Sequence, residues 1–222
     1  MNKTATTLAV LTLSAVTSFA GTMPAPAPAP MPPPITSDRC AGPISYNSVE
    51  LLYANTDIGA GGDADGIRLN FEYSPASNFY VRLATGYDEG DYWDSWHISA
   101  AIGGYIALTE NIHLAADGGV LWTEFDEDVW VAAVPLIAEG YWGNLSLDDT
   151  GWFVRPHFRA KWGCLEVHAG VQYTDIWDDD EWAFFANAYY QIADGWDVKV
   201  GYNESERESD AETWSVGVRW RY

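Results

Sequence analysis

Residues 154–162 read VRPHFRAKW, with Val154, Pro156, Phe158, Ala160 and Trp162 at one parity and Arg155, His157, Arg159 and Lys161 at the other. Side chains of a β-strand point alternately to opposite faces, so this segment has one apolar and one basic face. The next segment, LEVHAGVQY (165–173), repeats the pattern. Leu165, Val167, Ala169, Val171 and Tyr173 oppose Glu166, His168, Gly170 and Gln172. A helical period of 3.6 would scatter both sets around the axis, so two-fold alternation fixes the fold class as all-β.

The same period runs from Tyr46 to Tyr222. Ile67, Leu69, Phe71 and Tyr73 oppose Arg68, Asn70 and Glu72; Phe79, Val81, Leu83 and Thr85 oppose Tyr80, Arg82, Ala84 and Gly86; Trp196, Val198, Val200 and Tyr202 oppose Asp197 and Lys199. It predicts ten strands, at about 46–57, 65–74, 79–88, 94–107, 111–125, 151–162, 165–177, 182–192, 196–205 and 212–222. Eight and twelve are the alternatives. Residues 126–150 are too apolar for a plain solvated loop. They either lengthen the fifth and sixth strands or add a hairpin, whose second arm would be short against the 9–11 residues of a tilted spanning strand. Pro135 and Pro156 each predict a bulge or a local break in a ladder, because proline has no N–H to give.

Charge placement and aromatics choose between a soluble sandwich and a membrane barrel. Of the 11 lysines and arginines, Arg68, Arg82, Arg155, Arg159, Lys161, Lys199, Arg219 and Arg221 lie in predicted strands on the face opposite the apolar set. The apolar rows end in Tyr53, Tyr73, Tyr87, Trp122, Trp162, Tyr173, Tyr190, Trp196, Tyr202, Trp214, Trp220 and Tyr222. Aromatic girdles at both ends of an apolar band mark a barrel facing lipid. The connections alternate between tight turns such as SPASN (74–78) and IADGW (192–196) and longer acidic loops such as DIGAGGDADG (57–66) and NESERESDAE (203–212). That is the two-sided layout of an antiparallel up-and-down transmembrane β-barrel, and an even strand count leaves both termini on the short-turn side.

The first residues, MNKTATTLAVLTLSAVTSFAG, have a basic start at Lys3, a short apolar run and a small-x-small site at Ser18 to Ala20. This predicts a secretory signal peptide over 1–20. Residues 21–44 include alternating Pro and Ala, which favour an extended spacer, here a periplasmic segment. The barrel domain is then 45–222. Cys40 precedes the first strand and Cys164 lies in a tight turn; both fall on the periplasmic side, where a disulfide drawing the N-terminal segment across the barrel mouth is expected. Ser37-Asp38-Arg39 before Cys40 is not a lipid-attachment motif.

The chain closes on SVGVRWRY. Ser215, Gly217, Trp220 and Tyr222 match the polar-x-Gly-x-x-aromatic-x-aromatic signal of small bacterial outer-membrane barrels, with Tyr where Phe is commoner. Together with GGYIALTENIHLAADGGV (103–120) and HAGVQYTDI (168–176), the chain beyond about residue 44 resembles the OmpA- and OmpX-type outer-membrane β-barrel proteins. The resemblance implies a Gram-negative-type outer membrane, reached through the periplasm and the barrel-insertion machinery. It says little about activity.

Any function in such a chain lies on the inward face or in the loops. Arg155, His157, Arg159 and Lys161 form a positive column, with Glu166 and His168 offered from the neighbouring strand, Arg68 and Arg82 on other strands, and Glu50 and Glu72 on the opposite side of the sequence. The plain expectation is a lumen filled by interlocked ion pairs; the sharper one is a basic constriction for small anions. His97, with Asp91, Asp94 and Ser99 nearby, lacks the His-x-Ser-Asn pattern of lipid A deacylases, so no catalytic residues are expected. The net charge of −21 excludes nucleic acid as a partner. Clustered carboxylates such as Asp178, Asp179, Asp180 and Glu181 suit weak Ca²⁺ or Mg²⁺ bridging to lipopolysaccharide, without the spacing of a dedicated metal site. The sequence therefore predicts a monomeric outer-membrane barrel without cofactor, with a structural or surface-interaction role in envelope integrity, adhesion or protection. A narrow porin-like channel is the alternative, and a lipid-modifying enzyme or protease comes third.

Overall fold

The computed structural model describes residue 40 and residues 42–57, 62–91, 93–131, 141–176, 179–206 and 211–222, without the side chains at 128–131, 141–144 and 179. The expected signal peptide, most of the spacer, Pro135, Asp178 and the Asp179 side chain lie outside these residues. Ten strands follow one another: β1 (Ser48–Asp57), β2 (Asp63–Ala76), β3 (Phe79–Gly90), β4 (Trp93–Thr109), β5 (Ile112–Val131), β6 (Tyr141–Trp162), β7 (Leu165–Ile176), β8 (Asp179–Ala193), β9 (Trp196–Ser205) and β10 (Glu212–Arg221). Each pairs antiparallel with its sequence neighbours, and β1 pairs with β10 from Ser48↔Arg221 to Asp57↔Glu212, closing the barrel. Closure leaves no edge to template another chain.

Two-residue turns at 77–78, 110–111, 163–164 and 194–195 lie at the end where β1 begins and β10 finishes, hereafter the turn end. Asn78, Gly163 and Gly195 take positive φ there, at 68°, 56° and 72°, the left-handed geometry that tight hairpins need. Register irregularities at Tyr73/Ala76, Ala107/Thr109 and Gln191/Ala193 also sit beside these turns.

The apolar stretch 126–150 lengthens the existing hairpin: β5 and β6 stay in register out to Val131↔Tyr141. Pro156 pairs with Ala116 on the β5 side. Towards β7, pairing passes from Val154↔Tyr173 to His157↔Gly170 with the register unchanged. Proline thus opens a two-residue gap in one ladder instead of a bulge, as its missing N–H requires.

The outward parity is apolar. Leu51, Ile67, Ile102, Leu114, Val120, Val200 and Val216 are all more than half exposed. Rings band both ends: Tyr87–Trp96, Trp152–Tyr173, Tyr173–Trp182 and Tyr202–Trp214 near the loop end, Trp196–Trp220 and Trp220–Tyr222 near the turn end. On β6 and β8 the bands are eight to ten residues apart, as from Trp152 to Trp162 and from Trp182 to Tyr190. At ~3.3 Å per residue and a tilt of ~40° that spans about 20–25 Å along the barrel axis, the height of a lipid-facing belt.

Candidate functional site

The inward parity that faces away from this belt collects the charge. Arg68, Arg82, Arg155, Arg159, Lys161, Lys199, Arg219 and Arg221 point to the lumen, against the carboxylates of Glu50, Glu72, Asp88, Asp117, Glu166 and Asp197. Taking charges from water into a protein interior is costly unless partners and hydrogen bonds compensate. Most of these charges are so compensated.

The pairs form tiers. Nearest the loop end, Arg68 donates to Asp88 at 3.2 Å, and His97 Nδ1 lies 3.6 Å from the same carboxylate. Below, Asp117 accepts from Arg155 Nη2 at 2.7 Å and from the Tyr80 hydroxyl at 2.8 Å. His157, whose Nδ1 is 3.2 Å from the Arg155 carbonyl, packs beside them. Glu50 accepts from Lys199 at 3.2 Å and from Asn70 at 3.3 Å. Glu72 accepts from both terminal nitrogens of Arg159, one at 2.9 Å.

Nearer the turn end, Glu166 takes a fork from Arg219 at 2.9 and 3.1 Å and is hydrogen-bonded to His168. Arg219 Nε and Arg221 Nη2 reach Asp197 at 2.7 and 2.9 Å. Aromatic rings fill the spaces. The Arg219 guanidinium lies 3.8 Å from the Tyr189 ring centre and that of Arg159 lies 4.1 Å from Tyr46, distances at which the ring faces attract the cations.

Tyr46 belongs to the segment before β1, and its burial closes the turn end. It stacks on Tyr105 with centroids 4.1 Å apart, sets its hydroxyl 3.3 Å from His113 Nδ1, and packs with Ile44, Tyr80 and Ala115. Cys40 is joined by a disulfide to Cys164 in the β6–β7 turn, with Cα atoms 4.6 Å apart. The segment is thereby tied to the rim it crosses.

Two cations stand apart. Arg82 and Lys161 have no ion pair or hydrogen bond to a carboxylate among the described residues. Lys161 is buried near the turn end, while Arg82 is half-buried.

Above the tiers lies a vestibule of about 550 Å³ at the loop end, walled by Arg68, Asp88, Trp93, His97, Phe125 and Glu181 among others. A second cavity of about 60 Å³ sits beneath it, lined by Glu50, Glu72, His157, Arg159 and His168. Asn70, Arg82, Arg155, Phe185, Asn187 and Lys199 line both and so form the vestibule floor.

Of the residues singled out from sequence, Arg68, Arg82 and Arg155 border the vestibule. His157, Arg159, Glu166 and His168 lie in the tiers below, and Lys161 lies nearer the turn end. His97 faces the lumen, with its Nδ1 3.6 Å from the Asp88 carboxylate. Glu181 accepts a hydrogen bond from Ser205. Sequence reasoning placed Tyr80 and Asp197 at the inward parity without giving them partners, and missed Tyr46, Asp117 and Tyr189 in the lumen. Asp117 was discoverable, because it falls at the parity opposite Ile112, Leu114, Ala116 and Val120, in the apolar part of its strand.

No family model and no curated protein matches the chain. Among solved structures, the KdgM porin aligns at 9% identity over 79% of this chain and 99% of its own, with a TM-score of 0.45. Ail, the attachment invasion locus protein of Yersinia pestis, aligns at 12% identity over 79% and 95%, with a TM-score of 0.38. The NanC porin aligns at 9% identity over 78% and 100%, with a TM-score of 0.45.

Proposed function

We propose that this chain is an integral outer-membrane barrel with a closed lumen, serving a structural or surface-interaction role and catalysing nothing. The observation that carries this reading is the stack of paired charges and rings from Asp117 down to Tyr46, which occupies the barrel below the vestibule around one small cavity of about 60 Å³. An ion crossing it would have to break buried pairs, each of which costs several kcal/mol to separate. The apolar belt between aromatic girdles supports the membrane setting, with lipid and lipopolysaccharide around a monomer. Ser215, Gly217, Trp220 and Tyr222 supply the signal for the barrel-insertion machinery, and acidic loop carboxylates bridge weakly through divalent cations. Electrophoresis of boiled and unboiled protein, with single-channel recording of the same sample, tests this. A mobility shift with silent bilayers is expected. Discrete conductance steps would favour the narrow channel, for which the cationic vestibule floor is the specific argument.

A further inference from the structure

The floor of the vestibule is more cationic than its surroundings neutralise. Arg82, Arg155 and Lys199 share it with two amides, Asn70 and Asn187, and the Phe185 ring; among the described residues no carboxylate lines both cavities. Arg155 and Lys199 are held from one side by Asp117 and Glu50. Arg82 makes no hydrogen bond or close ion pair with a carboxylate among the described residues, because Glu72, which faces it across the β2–β3 ladder, is occupied by Arg159; Asp117, already bonded to Arg155 and Tyr80, attracts it only at longer range. We propose that the vestibule is a binding site for a small organic anion, whose carboxylate or phosphate group is received by Arg82 with Arg155 and Lys199 alongside.

A half-buried guanidinium that no carboxylate hydrogen-bonds is an unfavourable arrangement that an oxyanion relieves, and its planar fork matches such a group with two parallel hydrogen bonds. The rest of the ligand has amide donors and acceptors at Asn70 and Asn187 and an apolar face at Phe185, over which Arg155 already lies at 5.5 Å. A volume of about 550 Å³ falls within the usual range for small-molecule sites. Asp88 and Glu181 higher on the wall disfavour polyanions and select ligands of low charge. The site goes beyond the role proposed above and rests on the cationic floor, not on whether the lumen beneath it is closed.

The test is isothermal titration calorimetry of the full mature protein, refolded in detergent, with inorganic phosphate and with gluconate as probes. Saturable binding of at least one probe at or below about 10 mM is expected, and the stronger probe identifies the oxyanion. Arg82→Gln should weaken binding at least about tenfold, and Arg82→Lys should harm the carboxylate more than the phosphate. Asp65→Asn on the outer wall should leave binding unchanged. Absence of saturable binding by either probe, or equal binding by Arg82→Gln, would overturn the site. If Arg82→Gln loses the heat-dependent mobility shift, Arg82→Lys decides in its place, and unaltered affinity for both probes overturns the inference. A barrel that conducts yet binds through Arg82 would sink the closed-lumen reading alone, whereas a silent barrel that binds neither probe sinks this one alone.

Discussion

Glu72 stands opposite Arg82 in the β2–β3 ladder, yet both of its carboxylate oxygens go to Arg159, 87 positions away in the chain. The same exchange occurs near the turn end, where Glu166 faces Lys161 across the β6–β7 ladder but is taken by Arg219 and His168. In both places the arginine that wins reaches across the lumen from a more distant strand. It brings a two-pronged fork that a carboxylate accepts in full. Each exchange leaves one cation behind.

This arrangement gives substitutions at Glu72 and Arg82 unequal consequences. Glu72→Gln leaves Arg159 buried without its counter-charge and should destabilise the barrel by about 3–5 kcal/mol. Arg82→Gln removes a cation that no described carboxylate hydrogen-bonds and should cost less than about 1 kcal/mol, or even stabilise. Denaturant unfolding from lipid vesicles measures both. Equal losses would mean that Arg82 is paired in solution.

The alternation made the wall legible: every strand, the closing parity and the inward placement of the basic residues follow from a period of two. The pairing of the charges was not legible, since a ladder register joins neighbours, while the lumen joins residues of strands far apart in sequence. Tyr46 falls at the start of the first strand expected from sequence, at the parity of Glu50; that it instead precedes β1 and packs on Tyr105 and His113, some 60 residues on, was not legible because those partners are far away in the chain. The outward extension of β5 and β6 stayed open because an apolar stretch reads alike as a longer hairpin or a new one; continuous pairing to Val131↔Tyr141 decides for the former.

Tyr46→Ala should lower stability by about 3–5 kcal/mol, the usual loss for deleting a large buried ring, since it removes the Tyr105 stack and the ring beneath Arg159. The bilayer should nevertheless stay silent. The Glu72–Arg159 and Glu166–Arg219 pairs remain in the lumen, so closure does not depend on one ring. Conductance in this variant would show that Tyr46 alone seals the barrel.

Cys40→Ser frees the segment that carries Ile44 and Tyr46 from the β6–β7 turn. The disulfide closes a sequence separation of 124 residues, and its loss should cost about 2–4 kcal/mol. The strands themselves make no use of the bridge, so the heat-dependent mobility shift should persist while the denaturation midpoint falls. Dithiothreitol should reproduce the effect in the parent protein and have none on the variant.

Gly103 tests how tightly Tyr80 is seated. A Cβ there would come within 2.3 Å of the Tyr80 ring, which is fully buried and donates to Asp117. Gly103→Ala should cost about 1–3 kcal/mol, as overpacking does, with part of the loss arising from the displaced hydroxyl. In Gly42→Ala the new methyl would meet only Lys161 Nζ at 3.8 Å, and the change should cost less than about 0.5 kcal/mol. Similar losses in the two would mean that Tyr80 can yield without penalty.

The final aromatic separates the folding of the barrel from its delivery. Tyr222 donates its N–H to the Asn47 carbonyl at 3.3 Å, and its ring lies 5.3 Å from that of Trp220 and 6.4 Å from that of Phe71. These contacts lie on the exposed outer surface, outside the ion-paired lumen, so Tyr222→Ala should change stability in vesicles by less than about 1 kcal/mol. If the terminal aromatics are also the mark read by the insertion machinery, the same substitution should sharply reduce folded protein in the outer membrane of expressing cells, and Trp220→Ala should do likewise. The check is the ratio of heat-modifiable protein in the membrane fraction to total protein, set beside refolding yield in detergent. Loss in cells with normal refolding assigns the terminus a recognition role; equal loss in both places its contribution in the barrel wall.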